Sequence, residues 1–206
     1  AILKDDFLVG IHGINHMSPG LAGGVTKTFP NRDALVAYFR AARDAFATTY
    51  GPRYRPLVYV PPNDWIDPTA RTVLGEVMPE LQVLGSVFFA NDDETPQDFG
   101  LDPDVRGLVG LPRTWAGSFL EGDAMLGMLN GVLVQAVSSH FVHPDDILDP
   151  LRARGRDWPR MREAFLSAHD EVARRFPFLR PMDAVQAGDE VRRMATAGVL
   201  VGPASD

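Results

Sequence analysis

The chain of 206 residues is long enough for one domain with a sizeable core, and we expect residues 1–206 to form that domain. An apolar fraction of 45% and a charged fraction of 23% are ordinary for globular proteins, which excludes disordered and collagen-like chains. A net charge of −7 argues against nucleic-acid binding, and the lack of cysteine excludes disulfides and thiol nucleophiles.

Short apolar runs alternate with longer helical periodicities along the chain. Caps and stops predict helices over residues 32–50, from residue 68 through about 78, and over 123–132, 158–176 and 183–195. Apolar runs predict strands over residues 7–11, 57–60, 83–89, 107–111 and 134–138. The acidic segment 91–104 has no periodicity and is predicted to be a loop. This alternation favours an α/β fold with parallel strands in a sheet or barrel.

Four of the five histidines follow predicted strands. His12 and His16 lie four residues apart after the first strand, and His140 and His143 follow the fifth. Imidazole is the commonest protein ligand of metals such as zinc, so we expect a metal site at His12 and His16. The alternative is that these two side chains only cap backbone groups of the loop.

Other polar and aromatic residues also follow the predicted strands. In parallel α/β folds the chemistry collects on loops at the carboxyl ends of the strands, so we expect these segments to converge. They are Pro61-Pro62-Asn63-Asp64-Trp65, Asn91-Asp92-Asp93 and Arg113-Thr114-Trp115.

The His12-x-x-x-His16 motif after a strand, the proline-rich strand end at Pro61-Pro62 and a late strand ending in His140 resemble the NodB-type polysaccharide deacetylases. The resemblance covers roughly residues 5–195 and implies a distorted or incomplete (β/α) barrel. It also implies a metal-dependent hydrolase that removes acetyl groups from a polysaccharide.

This resemblance assigns roles to individual residues. His12 and His16 are expected to bind a divalent metal, most often zinc in this family. His140 is expected to act as the catalytic acid, with His143 as the rival candidate and Asp145 or Asp146 to orient the ring. Arg113 would hold an orienting carboxylate or the oxyanion. Substrate contacts are expected from residues that line the groove or offer flat faces to sugar rings, namely Pro62, Asn63, Asp64, Trp65 and Trp115.

The sequence departs from the family pattern at the paired aspartates, which the family carries on a first strand far upstream of the histidine motif. Here only Asp5 and Asp6 precede His12, at the opposite end of the same strand. We therefore expect the strand with the third ligand and the base to lie upstream of Ala1. The family also implies an extracellular, periplasmic or cell-envelope location, and no apolar run approaches the ~20 residues that span a bilayer.

Two other functions remain open at this point. A glycoside hydrolase would need paired carboxylates, for which Asp64 with Asp92 or Asp93 are the candidates, but it would leave the histidines without a role. A noncatalytic carbohydrate-binding barrel would have kept the fold after losing the aspartates. Metal binding would distinguish the deacetylase from both.

Overall fold

The computed structural model describes residues 7–21, 28–51, 54–87, 95, 97–119, 122–135 and 137–197. Its helices are α1 (Arg32–Tyr50), α2 (Pro68–Val77), α3 (Asp123–Val134), α4 (Trp158–Arg175) and α5 (Ala184–Thr196). Its strands are β1 (Val58–Tyr59), β2 (Val83–Leu84), β3 (Gly100–Leu101), β4 (Val109–Gly110), β5 (Trp115–Ala116) and β6 (His140–Phe141).

The helix starts follow the capping residues. The side chains of Asn31, Asp67, Asp157 and Asp183 each accept a hydrogen bond from the backbone N–H three residues further on. Such a cap satisfies one of the backbone donors that the first turn leaves without a partner. The predicted helices are therefore confirmed at their starts to within a residue.

The strands form a parallel arrangement with one exception. The larger sheet has the order β1-β2-β4-β3, in which β1, β2 and β4 are parallel and β3 runs antiparallel to β4. β5 pairs in parallel with β6, and single bridges join Ile11 to Tyr59 and Val87 to Arg113. The α/β class with parallel strands is confirmed. The prediction of a loop over residues 91–104 is wrong at β3, which lies within that segment and adds one antiparallel strand. Among the described residues these pairings do not close into a barrel.

Helices cover both faces of the larger sheet because successive strand residues point to opposite sides. Tyr59 and Leu84 belong to the core that α1 and α2 cover. Their neighbours Val58 and Val83 pack instead with Val191 of α5. The carboxyl ends of β1, β2 and β4 are thereby held at one edge of the sheet.

The fifth predicted strand is wrong in position. Val134 is the last residue of α3, and the strand begins at His140. The segment from Ala124 to Val137 carries no charge, and a short apolar run does not distinguish a strand from a helix end.

No helix within the described ranges has the length and apolar character needed to cross a membrane.

Candidate functional site

An open cavity of about 860 Å³ lies beside residues 7–12, where the first strand was predicted, and beside β1. Its walls come from residues 7, 8 and 10–12, from Val58 and Val60, from Phe141 of β6 and from His143 after it. Residues 181–183 and the first residues of α5 complete the lining. His12 and His143 therefore face one cavity although they are far apart in the sequence.

The His12 ring is fixed by the strand beside it. Its Nδ1–H donates to the carbonyl oxygen of Val60 at 2.8 Å, because that oxygen can only accept. The other nitrogen, Nε2, is then the one with a free lone pair. Metal-binding histidines typically have this arrangement, with one ring nitrogen held by a backbone carbonyl.

Burial lowers the pKa of His12 below its ordinary value of 6.5, although the hydrogen bond to Val60 acts in the opposite direction. Positive charge on His16, His143 or Arg113 lowers it further. A lowered pKa favours the neutral ring, which is the form that can bind a metal.

The loop that carries His16 is held in an uncommon backbone conformation. Gly13, Asn15 and His16 all have positive φ angles, of 74°, 53° and 53°. A Cβ atom at Gly13 would lie 2.2 Å from the Tyr38 hydroxyl, so only glycine fits there. The loop brings the His16 ring to 5.0 Å from the His12 ring, measured between centroids, in an edge-to-face arrangement.

Tyr38 of α1 holds this loop. Its hydroxyl accepts a hydrogen bond from the backbone N–H of Ile14 at 3.0 Å and donates one to the carbonyl of Met17 at 3.0 Å. No motif in the sequence predicts this role for Tyr38. The only sequence signal is a tyrosine on the buried, otherwise apolar face of α1.

Ser18 links this loop to the one that follows β1. Its hydroxyl donates to the carbonyl of Pro62 at 3.1 Å and accepts from the side-chain amide of Asn63 at 2.9 Å. Asn63 and Asp64 both have φ angles of 53° in a short turn of 3₁₀ helix. Asn63 thus serves at least in part to join the two loops.

Asp64 and Arg113 form an ion pair near the cavity. Their side chains are only 9% and 18% exposed. The guanidinium carbon of Arg113 also lies 4.1 Å from the centre of the Phe141 ring, which lines the cavity. The pair therefore connects the strand ends after β1 and β4 to the segment after β6.

His140 and His143 have different surroundings. His143 lines the cavity, whereas His140 does not. The Nε2–H of His140 donates to the carbonyl of Gly117 at 2.8 Å, and its Nδ1 lies 3.1 Å from Nε2 of His169 on α4. Both nitrogens of His140 are engaged in these contacts, and of the two histidines only His143 lines the cavity.

The two tryptophans that were expected to hold sugar rings pack within the fold. Trp65 is 7% exposed and lies against Gly20, where a Cβ atom would be 1.8 Å from the ring. Trp115 lies against Gly127 and Gly131 of α3. Trp65 is a core residue and is not available to a sugar, and Trp115 has one side covered by α3.

Only part of a metal-binding set is present among the described residues. His12 and His16 offer two imidazoles, but the described ranges contain no cluster of three or more histidine, aspartate or glutamate side chains placed for a metal. Asp5, Asp6, Asp92 and Asp93 lie outside the described residues. The third ligand therefore stays a prediction.

Comparison with known proteins gives a family and a fold. Residues 1–201 match the model of a family described as "Uncharacterised protein conserved in bacteria (DUF2194)", and the chain belongs to this family. No curated protein matches the sequence. The structure is similar to the crystal structure of a putative polysaccharide deacetylase from Mycobacterium smegmatis, with a TM-score of 0.57 and 16% identity. That match covers 98% of this chain and 69% of the other, and it confirms a deacetylase-like fold.

Proposed function

We propose that this member of the DUF2194 family is a metal-dependent hydrolase that removes acetyl groups from a polysaccharide of the cell envelope. The observation that carries the proposal is the position of His12, which lines a cavity at the carboxyl ends of parallel strands and whose ring lies 5.0 Å from the ring of His16, measured between centroids. The similarity to a solved protein described as a polysaccharide deacetylase supports the choice of reaction.

In this proposal Nε2 of His12 and the ring of His16 supply two ligands of a divalent metal, zinc being the first candidate. A bound zinc ion acts as a Lewis acid that polarises an acetyl carbonyl and makes water more acidic. The hydrogen bond between His12 and Val60 orients the ligand ring, and Tyr38 holds the loop that carries His16. The Asp64–Arg113 pair keeps the loops around the cavity together.

A glycoside hydrolase is a weaker alternative. Its candidate carboxylate Asp64 is buried and paired with Arg113, so it lacks the freedom to act as an acid or a nucleophile. A noncatalytic carbohydrate-binding barrel would use the cavity without the metal. The experiment below separates it from the deacetylase.

The first test is metal content by plasma mass spectrometry, after purification without chelator, together with acetate release from N-acetylated and O-acetylated oligosaccharides. We expect the native protein to hold near-stoichiometric metal and to release acetate. We expect a His12→Ala/His16→Ala variant to lose both the metal and the acetate release. His169→Gln removes a histidine outside the cavity and serves as the control. A folded native protein that holds no metal and releases no acetate would contradict the proposal and favour the binding domain.

A further inference from the structure

His143 faces the cavity and has a neighbour that sequence reasoning did not identify. A terminal guanidinium nitrogen of Arg152, Nη2, lies 2.6 Å from Nδ1 of His143. Nε of Arg152 lies 3.0 Å from a carboxylate oxygen of Asp146, which is 6% exposed. The buried carboxylate thus holds the arginine, and the arginine contacts the histidine.

The contact between Arg152 and His143 determines which nitrogen of the imidazole carries hydrogen. A guanidinium group stays protonated in proteins and has no acceptor, so Arg152 must donate. Nδ1 of His143 must therefore accept and carry no hydrogen. The single hydrogen of the neutral ring is then on Nε2.

Asp146 does not compete for this position. Its nearest carboxylate oxygen is 3.7 Å from Nδ1 of His143, which is too long for a hydrogen bond. In a Ser-His-Asp triad the carboxylate accepts from the histidine and stabilises the imidazolium. Here the guanidinium group of Arg152 contacts both the carboxylate and the ring.

We propose that Arg152 holds His143 as a neutral hydrogen-bond donor, which offers Nε2–H to the negative charge that develops on the acetyl carbonyl oxygen. This assignment rests on the proposed deacetylase function. His143 is then a catalytic residue that stabilises the oxyanion, and Arg152 is its positioning residue. The histidine neither gives up nor takes a proton in this role.

The cavity supports this role for His143. The ring lies 4.4 Å from the Phe141 ring, measured between centroids and nearly perpendicular to it, and both line the cavity with His12. A neutral imidazole can act as an electrophile, because its N–H points to the place where negative charge develops. The site therefore combines His12, which offers the lone pair of Nε2 to a metal, with His143, which offers its Nε2–H as a donor.

The tautomer is tested directly by two-bond ¹H–¹⁵N correlation NMR of the full chain at pH 7.5, with His143 assigned through a His143→Gln variant. We expect the Nε2–H form in the native protein. In Arg152→Met, which has no donor at this position, we expect the Nε2–H tautomer of His143 to be no longer the main form. In Arg152→Lys, which keeps a donor, we expect it to remain the main form. A native His143 with hydrogen on Nδ1 would overturn the proposal. This readout does not depend on activity.

The catalytic part is tested on p-nitrophenyl acetate. Removal of one oxyanion donor costs about 10²-fold or more in kcat, so we expect that loss in His143→Ala. We expect about a 10-fold loss of kcat in Arg152→Met with little change in KM, since a residue that orients a functional side chain contributes about 10–100-fold. Arg152→Lys should recover part of the loss, and Arg160→Met on the exposed surface of α4 should lose nothing.

The Nε2–H signal and the partial recovery in Arg152→Lys separate positioning from mere structure. Unchanged kcat in both Arg152→Met and His143→Ala would overturn the assignment. If the native protein hydrolyses no ester and holds no metal, the proposed function fails, while the NMR result still decides the tautomer.

Discussion

The loop at residues 12–18 and the segment formed by β6 and the residues after it both carry two histidines a few residues apart, yet they use them differently. In the loop, His12 and His16 lie side by side, since residues with positive φ angles and the hydroxyl of Tyr38 turn the chain back. In the other segment, His140 of β6 is bonded to Gly117 and contacts His169, while His143 after β6 lines the cavity. Similar spacing therefore places the rings of one histidine pair side by side and gives the two rings of the other pair different surroundings. The neighbouring backbone and helices determine which arrangement forms.

The Asp64–Arg113 pair links these two regions, and its loss should have the largest effect. Arg113→Ala leaves a buried carboxylate without its partner, which typically costs about 3–5 kcal/mol of unfolding free energy. Urea denaturation measures this cost. The exposed Arg43–Asp44 pair is the matched control, because an exposed pair contributes about 0–1 kcal/mol.

A double variant sharpens this prediction. Arg113→Met with Asp64→Leu removes both charges and should be more stable than Arg113→Ala alone, because no buried charge is left unpaired. Equal stability of the two variants would show that the ion pair is not what holds the strand ends together.

The Tyr38→Phe substitution should disturb the first loop and leave the segment after β6 unchanged. It removes a hydroxyl that makes two hydrogen bonds to the loop, which should cost about 1–3 kcal/mol of stability. If His12 and His16 bind a metal, its affinity should fall as well, since the loop orients His16. Denaturation and zinc titration measure the two effects.

Tyr50→Phe is the control for Tyr38→Phe. Tyr50 lies on the same helix and packs on Phe46, and its hydroxyl makes no hydrogen bond within the described parts of the chain. If both variants behave alike, the loop does not depend on the hydroxyl of Tyr38.

The smallest effect concerns acid sensitivity at His140. Burial lowers the pKa of His140 below the ordinary 6.5, so the folded protein takes up this proton less readily than the unfolded chain. Stability from this group is present above about pH 6.5 and is lost as pH falls through the lower folded-state pKa. His140→Gln should therefore show a shallower loss of unfolding free energy between pH 7.5 and 5.

His12→Gln provides the comparison, because burial also lowers the pKa of His12. We expect each single variant to reduce the acid sensitivity in part and the double variant to reduce it further. If all of them lose stability on acidification as steeply as the native protein, these two histidines do not cause it.

Local sequence signals determined much of the fold. The caps Asn31 and Asp67 predicted helix starts because a side-chain oxygen can bond the free backbone N–H groups of a first turn without help from the rest of the chain. The positions of β1 and β2 followed from buried apolar runs between helices. The His12-x-x-x-His16 motif pointed to two rings that lie side by side, one of which lines the cavity.

Tertiary structure alone decided which polar groups meet. The distances Arg113 to Asp64, Tyr38 to Ile14 and Arg152 to His143 depend on packing between elements, and no local pattern encodes them. For the same reason only the structure could show that His143 lines the cavity while His140 does not, and that Trp65 is buried in the core. Local propensity sets where a helix or strand begins, but the chemistry of a side chain depends on the groups that the folded chain brings within hydrogen-bond distance.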